Sequence, residues 1–263
     1  MTALRQVREV FEFFFGVGLK AGKTRVFALL GLIPVAMAVV VRIVLHGRAG
    51  LMAAVFTEIL MVFFLQFYIV MLALFYGTSV VAEEVENRTL GYLVTRPLAK
   101  PAIVVGKYAA YAALMSAMVA VSLAASYFVM NAARLSEAEL YGTFLRYLGV
   151  LVLGILAYGA FFTFLGALLK RAIIVGLVFG FGWENVIQYF PGSTQRFSIV
   201  HYLKSLLPYR PGGTGGGRGV ALLLFRLEPT AALIAVLALA AIAGVFLTLA
   251  CGLFRTKEYL FEE

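Results

Sequence analysis

The sequence has few of the residues that build disulfides, metal sites and catalytic centres. It contains a single cysteine, Cys251, and only two histidines, His46 and His201, in 263 residues. One cysteine excludes an internal disulfide and any cysteine metal cluster. The histidines are far apart in the chain without ligand spacing, and aspartate is absent altogether. We therefore expect no metal site and no catalytic residue in this chain.

Charged residues are also scarce, at 13% of the chain, whereas 63% of the residues are hydrophobic and the mean hydropathy is +0.98. Several apolar runs approach the roughly 20 residues needed to cross a bilayer, which indicates a polytopic membrane protein. The net charge of +9 suggests a nucleic-acid partner, but the basic residues flank the apolar runs and form no single stripe. Membrane topology explains them, and we expect no nucleic-acid partner.

The apolar runs predict an all-α polytopic membrane protein with six transmembrane helices in a single domain, 1–263. The predicted spans are 26–45, 59–81, 103–130, 147–169, 173–190 and 231–254. In the fifth span, Gly176 and Gly180 stand four residues apart and Gly182 follows. Small residues of this kind let helices approach closely.

Residues 1–25 predict an interfacial amphipathic helix followed by a basic anchor. Apolar residues recur at helical spacing and charges occupy the other positions. The apolar residues are Leu4, Val7, Val10, Phe11 and Phe14, the charges are Arg5, Arg8, Glu9 and Glu12, and the anchor is Lys20, Lys23 and Arg25. Residues 16–24 look like a phosphate-binding loop, but Val17 stands where that motif needs glycine and no strand precedes it. We expect no nucleotide there.

The distribution of cations predicts that both termini are cytoplasmic. With the N-terminus inside, two short loops are external. The loop after the first span holds only two cations, Arg42 and Arg48, and the loop after the third span holds only Arg134 and Arg146. Cation-rich short loops are normally cytoplasmic. We therefore expect a multi-pass protein of the cytoplasmic (inner) cell membrane.

The long external loop, 191–230, lies between spans five and six and predicts a short external helix. Ile199, Tyr202, Leu203, Leu206 and Leu207 fall on one face, and Pro208 follows them. The glycine-rich stretch 212–219 is typical of a flexible tether.

Polar residues near the end of the fifth span form a candidate substrate path. They are Glu184, Asn185 and Gln188. Ionisable groups at membrane depth are functional candidates because burying them is costly. The same residues are equally consistent with a helix end that emerges into water or with a helix cap, and both alternatives stay open.

The most polar segment is the predicted cytoplasmic loop 82–102. Its charged residues include Glu83, Glu84, Glu86, Arg88 and Arg96, and its apolar residues include Leu90, Tyr92 and Leu93. The carboxylates would favour the N-terminus of a short helix or pair with a partner's cations, and the arginines offer forked donors to a partner carboxylate. Pro97 would end the helix. We expect this loop to dock a partner.

In order and spacing this segment resembles the coupling region of type-2 ATP-binding cassette (ABC) exporter permeases. In that family an acidic pair or triplet precedes Thr-Leu and then Thr-Arg-Pro, and a Gly-Lys opens the third span. The matching residues are Glu83, Glu84, Glu86, Thr89, Leu90, Thr95, Arg96, Pro97, Gly106 and Lys107. The resemblance covers the chain in outline.

The resemblance implies a transmembrane permease subunit without enzyme activity, working with a second permease copy in membrane lipid. A separate ABC ATPase subunit would bind ATP and Mg. It would contact this chain through Glu83, Glu84, Glu86, Arg88, Thr89, Leu90, Tyr92, Leu93, Thr95, Arg96 and Pro97.

Two other functions stay open on the sequence. A channel or secondary transporter would need charges near mid-span, and the spans hold few. A membrane-embedded enzyme acting on lipids or peptides would need a nucleophile with a base. Ser116, Ser122 and Ser126 lie in the third span, but small polar residues in spans usually serve packing.

Overall fold

The computed structural model describes residues 3–45, 48–86, 100–187, 193–207 and 230–256. These residues contain no strand, so the predicted all-α class is confirmed for them. The α-helices are α1 (Ala3–Lys20), α2 (Gly22–Leu30), α3 (Ile33–Val44), α4 (Ala49–Ile59), α5 (Ile69–Glu86), α6 (Lys100–Met130), α7 (Ala138–Leu168), α8 (Ala172–Leu177), α9 (Glu184–Val186), α10 (Ile199–Leu206) and α11 (Ala232–Thr256). Two π-helical segments, Leu60–Tyr68 and Val178–Trp183, and a 3₁₀ helix, Ser193–Phe197, complete the helical structure.

Five helical stretches in the described residues are long and apolar enough to cross a membrane. They are Gly22–Val44, Gly50–Val81, Pro101–Met130, Ala138–Leu168 and Ala232–Thr256. They correspond to predicted spans one, two, three, four and six. The second and fourth begin earlier than predicted, because the helix continues through residues such as Thr57 and Arg146 that interrupt the apolar pattern.

The fifth predicted span contributes only a short apolar helical stretch within the described residues. Its apolar helical stretch, Ala172–Val186, is roughly 22 Å long at about 1.5 Å per residue, against about 30 Å for the hydrocarbon core. The predicted end at Phe190 lies outside the described residues. The described residues therefore contain five long apolar helices and one short one where the sequence predicted six spans.

The glycines of this short stretch pack closely, with one exception. A Cβ on Gly180 would lie 2.6 Å from Val70 Cγ1, and one on Gly176 would press on the Leu74 side chain. The nearest atom to a Cβ on Gly182 would be 3.9 Å away. Close approach is therefore confirmed for two of the predicted glycines and is wrong for Gly182.

The centre of the bundle is the packed pair α5 and α7. A Cβ on Gly166 of α7 would lie 2.7 Å from the Thr78 carbonyl oxygen, and one on Gly77 of α5 would lie 2.9 Å from the Gly159 carbonyl oxygen. Only glycine allows backbones to come this close. The largest fully buried side chains of the described residues include Phe64, Tyr68, Tyr76, Tyr158 and Phe162.

The outer helices α3 and α11 expose apolar side chains. Ile43 is 70% exposed and Leu233 is 72% exposed, while α11 packs its other face on α7. Apolar outer faces are unfavourable in water and suited to lipid, so the surface of the bundle is that of a membrane protein.

The helix α10 lies where the external helix was predicted, but it is packed against α7 and α11. Ile199 and Leu203 are buried, as their apolar face predicts. His201 and Lys204 are buried as well, at 2% and 3% exposed. A helix is therefore present at the predicted residues, with two of its polar side chains packed inside the bundle. Its position on the external side of the membrane stays a prediction. The predicted tether at 212–219 lies outside the described residues.

Candidate functional site

The predicted coupling residues fall at the junction of α5 and α6. Glu83, Glu84 and Glu86 lie in the last turns of α5, and α6 begins at Lys100. The others, Arg88, Thr89, Leu90, Tyr92, Leu93, Thr95, Arg96 and Pro97, lie outside the described residues. The three acids therefore lie at the C-terminal end of α5, and the short helix that the sequence predicts after them falls outside the described residues. The C-terminal end of a helix dipole disfavours carboxylates and favours nearby cations.

Two lysines and three aromatic rings meet beside this junction. This lysine–aromatic cluster consists of Phe14, Lys23, Tyr76, Lys107 and Tyr111. Lys107 is 1% exposed, and its Nζ lies 4.7 Å from the Phe14 ring centroid and 5.8 Å from that of Tyr111. Lys23 Nζ lies 5.0 Å from the Tyr76 centroid and 5.1 Å from that of Tyr111. Aromatic faces attract cations at these distances, so the cluster ties α1 and α2 to α5 and α6.

Lys23 and Thr24 also bond directly to α5. Lys23 Nζ donates to Ser79 Oγ at 3.0 Å. The buried Thr24 hydroxyl donates to the Gly18 carbonyl oxygen and lies 2.6 Å from the Tyr76 hydroxyl. Residues 16–24, which look like a phosphate-binding loop, are thus two helices joined at Ala21. A phosphate-binding loop turns its hydroxyl and backbone N–H groups toward phosphates, whereas Thr24 serves packing.

The helix α1 packs along α6 next to the lysine–aromatic cluster. A Cβ on Gly106 would stand 2.8 Å from the Cβ of Val10, so a larger residue there would push α1 away. The exposed side of α1 carries ion pairs such as Arg8 with Glu12, at 2.8 Å. The Gly-Lys pair that opens the third span therefore has a structural role: Gly106 admits α1 and Lys107 anchors it.

Glu184, the first residue of the predicted substrate path, is 2% exposed and caps α10. Its carboxylate accepts hydrogen bonds from Ser198 Oγ at 2.5 Å, from the Ile199 backbone N–H at 3.1 Å and from the Val200 backbone N–H at 3.4 Å. These backbone groups have no partner within their own helix, and the helix dipole favours a negative charge there. Of the sequence-based alternatives, capping applies, but to a neighbouring helix.

Of the three predicted path residues, the structure describes Glu184 and Asn185, whose side chains have different partners. Asn185 Nδ2 donates to the Phe181 carbonyl oxygen of the preceding turn at 2.9 Å, and its side chain is only partly buried. Gln188 lies outside the described residues. Glu184 is therefore the path residue to which the structure gives a defined partner on another helix.

Buried polar groups also join α10 to the start of α11. His201 Nε2 lies 3.0 Å from Thr230 Oγ1, and the Thr230 backbone N–H donates to Ser205 Oγ at 3.2 Å. Burial lowers the pKa of Lys204 to about 8, although the negative charge of Glu184 acts in the opposite direction. The polar side of α10 thus holds this helix against the stretch Ala172–Val186 and against the start of α11.

Sequence reasoning missed the partners of Glu184 and of the two lysines. Ser198 directly precedes an amphipathic run and is a preferred N-cap residue, so a signal for that helix start was present. Its Oγ accepts from the His201 backbone N–H at 3.3 Å. Lys23 gave no such signal, because its partners Tyr76 and Tyr111 come from other helices.

Residues 23–259 match the family model described as ABC-2 family transporter protein. No curated protein matches the chain. The match includes all five long apolar helices, the short one and the junction between α5 and α6. Members of this family are membrane components of ABC transporters and are not themselves catalytic. The resemblance drawn from residues 83–107 is confirmed, and this multi-pass membrane permease belongs to the ABC-2 transporter family.

Proposed function

We propose that the chain is the transmembrane subunit of an ABC exporter, coupled through residues 82–102 to ATP hydrolysis on a separate ATPase subunit. The family match across 23–259 carries this proposal, because it contains the Thr-Leu and Thr-Arg-Pro sequences between α5 and α6. ATP and Mg belong to the ATPase subunit. This chain supplies the surface that the ATPase moves.

The proposed complex contains two permease copies, identical or related, in the cytoplasmic membrane, with both termini in the cytoplasm. The exposed apolar faces of α3 and α11 support a lipid environment for part of this surface. The interfacial position of α1 is supported by its two sides, since Val10 packs on α6 and Arg8 pairs with Glu12 on the exposed side.

The lysine–aromatic cluster supports a route from the coupling segment into the bundle. Residues 87–99 are joined directly to α5 and α6, and Lys23 and Lys107 hold α2 and α1 against these helices. Packed interfaces shift between discrete arrangements and do not deform continuously. A displacement of the coupling segment is therefore expected to move α1 together with α6.

Glu184 is proposed to act on the substrate path by positioning, and Asn185 and Gln188 are the other two proposed path residues. Its carboxylate links the short helical stretch Ala172–Val186 to α10. A movement of that stretch would therefore carry α10 with it and change the opening on that side of the bundle.

Co-purification with the ATPase subunit tests the coupling assignment. Charge-assisted hydrogen bonds are worth about 1.5–3 kcal/mol, so Arg96→Ala is expected to weaken retention of the ATPase at least about tenfold. Arg146→Ala, an exposed arginine in the first turns of α7, is the matched control. Equal retention by both variants would show that Arg96 does not dock the ATPase.

The Lys107→Met variant distinguishes docking of the ATPase subunit from transmission of its movement into the bundle. The ATPase subunit is expected to remain bound, while hydrogen exchange of the α1 amides accelerates because the cation–π anchor to Phe14 is lost. Loss of the ATPase with unchanged exchange in α1 would place Lys107 in the docking surface and would refute the transmission route.

A further inference from the structure

A cavity of about 210 Å³ opens at the opposite end of α6 from residues 87–99. It is formed by α4, the last turn of α6, the connection at 131–137 and the first turns of α7. None of the described residues of the proposed coupling segment or substrate path lines it. Its chemistry is therefore separate from theirs.

One wall of the cavity is aromatic and rigid. The ring centroids of Phe56 and Tyr127 are 5.2 Å apart, those of Tyr127 and Tyr147 are 6.1 Å apart, and those of Phe56 and Tyr147 are 6.2 Å apart. The three side chains are buried, and the Tyr127 hydroxyl donates to the Leu140 carbonyl oxygen at 3.0 Å. Rings fixed in this way lose little conformational entropy when a ligand packs against them.

The described lining residues include one cation, Arg134, and two carboxylates, Glu137 and Glu139, so the rim carries a net negative charge. Arg134 and Glu137 form a two-pronged pair, with Nε to Oε1 at 2.8 Å and Nη2 to Oε2 at 2.6 Å. Arg134 thereby holds the pKa of Glu137 below its ordinary value. Glu139 also lines the cavity and forms no ion pair within the described part of the chain.

We propose that this cavity binds an organic ammonium group, with Glu139 as its counter-ion and the rings of Phe56, Tyr127 and Tyr147 as its wall. Aromatic rings attract cations, and the Glu139 carboxylate adds the opposite charge at the rim. An anion is disfavoured because the charge of Arg134 is already compensated. The volume is below the roughly 300–1,000 Å³ of sites for drug-sized molecules, so the bound group is small. An amine in solution and the headgroup of an amino lipid both supply this chemistry.

Choline titration of the full chain in phosphatidylglycerol nanodiscs tests the site, because that lipid carries no ammonium group. Calorimetry is expected to show saturable choline binding to the wild type, weakened about tenfold or more by Glu139→Gln. Glu12→Gln, an exposed carboxylate on α1, is the matched control and should bind choline like the wild type. No saturable choline binding, or equal affinity in wild type and E139Q, overturns the proposal. Tighter binding of inorganic phosphate than of choline does so as well.

The aromatic wall is tested by Phe56→Leu, which keeps an apolar side chain and removes the ring. Its choline affinity is expected to fall while hydrogen exchange in α4 stays at the wild-type level. Unchanged affinity in this variant would overturn the role of the rings.

Choline titration in a second set of nanodiscs, which contain phosphatidylethanolamine, identifies the source of the ammonium group. A fall in the apparent choline affinity of the wild type, absent from E139Q, assigns the cavity to a lipid headgroup. An unchanged affinity assigns it to a soluble amine. The assay needs no ATPase subunit, so its result is independent of the coupling proposal.

Discussion

Removal of the Glu184 carboxylate is expected to release α10 from the bundle. Glu184 accepts from Ser198 Oγ and from the backbone N–H groups of Ile199 and Val200, and it is 2% exposed, so water does not replace it easily. Hydrogen bonds to charged groups contribute about 1.5–3 kcal/mol each. The two shorter bonds together give about 3–6 kcal/mol for Glu184→Ala. Glu184→Gln keeps one carbonyl acceptor and should lose about half of that.

Hydrogen exchange of residues 193–207 measures this loss directly. Since about 1.4 kcal/mol corresponds to a factor of ten, the Ile199 and Val200 amides should exchange at least about a hundredfold faster in Glu184→Ala. The control is Asn185→Ala, which removes one neutral bond to Phe181 and should change exchange by about tenfold or less. If these amides exchange at the same rate in E184Q as in the wild type, Glu184 does not cap α10.

Two further changes test the packing and the buried cation. Gly166→Ala should separate α5 from α7 and lower the thermal stability measured in detergent, because its Cβ would lie 2.7 Å from the Thr78 carbonyl oxygen. The control Gly149→Ala, with no atom within 4 Å of its Cβ, should leave the stability unchanged. Equal melting temperatures of the two variants would contradict the close contact. The folded-state pKa of Lys204 is about 8, below the ordinary 10.5, so the unfolded chain binds more protons between these values and stability should rise with pH through that window. Lys204→Met should flatten this rise in unfolding scans from about pH 7 to 10, and an identical slope in both proteins would refute the assignment.

The apolar pattern was sufficient to predict the long helices, because each span must satisfy its own backbone hydrogen bonds in lipid and therefore appears as a continuous apolar run. The pattern failed where partners are distant in sequence. The burial of Lys204 did not follow from the pattern of its own helix, because it depends on packing against α7 and α11. The glycines show the same limit, since Gly180 meets Val70 and Gly182 meets no side chain of another helix closely.

The motif between α5 and α6 was predictable for a different reason. The motif is defined by the order of its residues along the chain, and this order can be read directly from the sequence. The family match at 23–259 confirms the identification. Lys107 belonged to the motif, but its burial against Phe14 did not follow from it. That contact depends on α1 folding back along α6, which Gly106 permits.

The most deeply buried charges occur where short helices join long ones. Lys107 lies between α1 and α6, and Glu184 and Lys204 lie where the stretch Ala172–Val186 meets α10. In lipid, apolar surface gives helices little reason to associate, because the solvent is as apolar as the side chains. A helix too short to be held by its insertion across the bilayer therefore needs polar contacts, which are strong in a medium of low dielectric constant. The short helix α10 is thus held by a few directional bonds to specific spans, whereas α1, with 18 residues, is held by the contact of Lys107 with Phe14 and by packing along α6. Movement of those spans is expected to carry α1 and α10 with them as intact units.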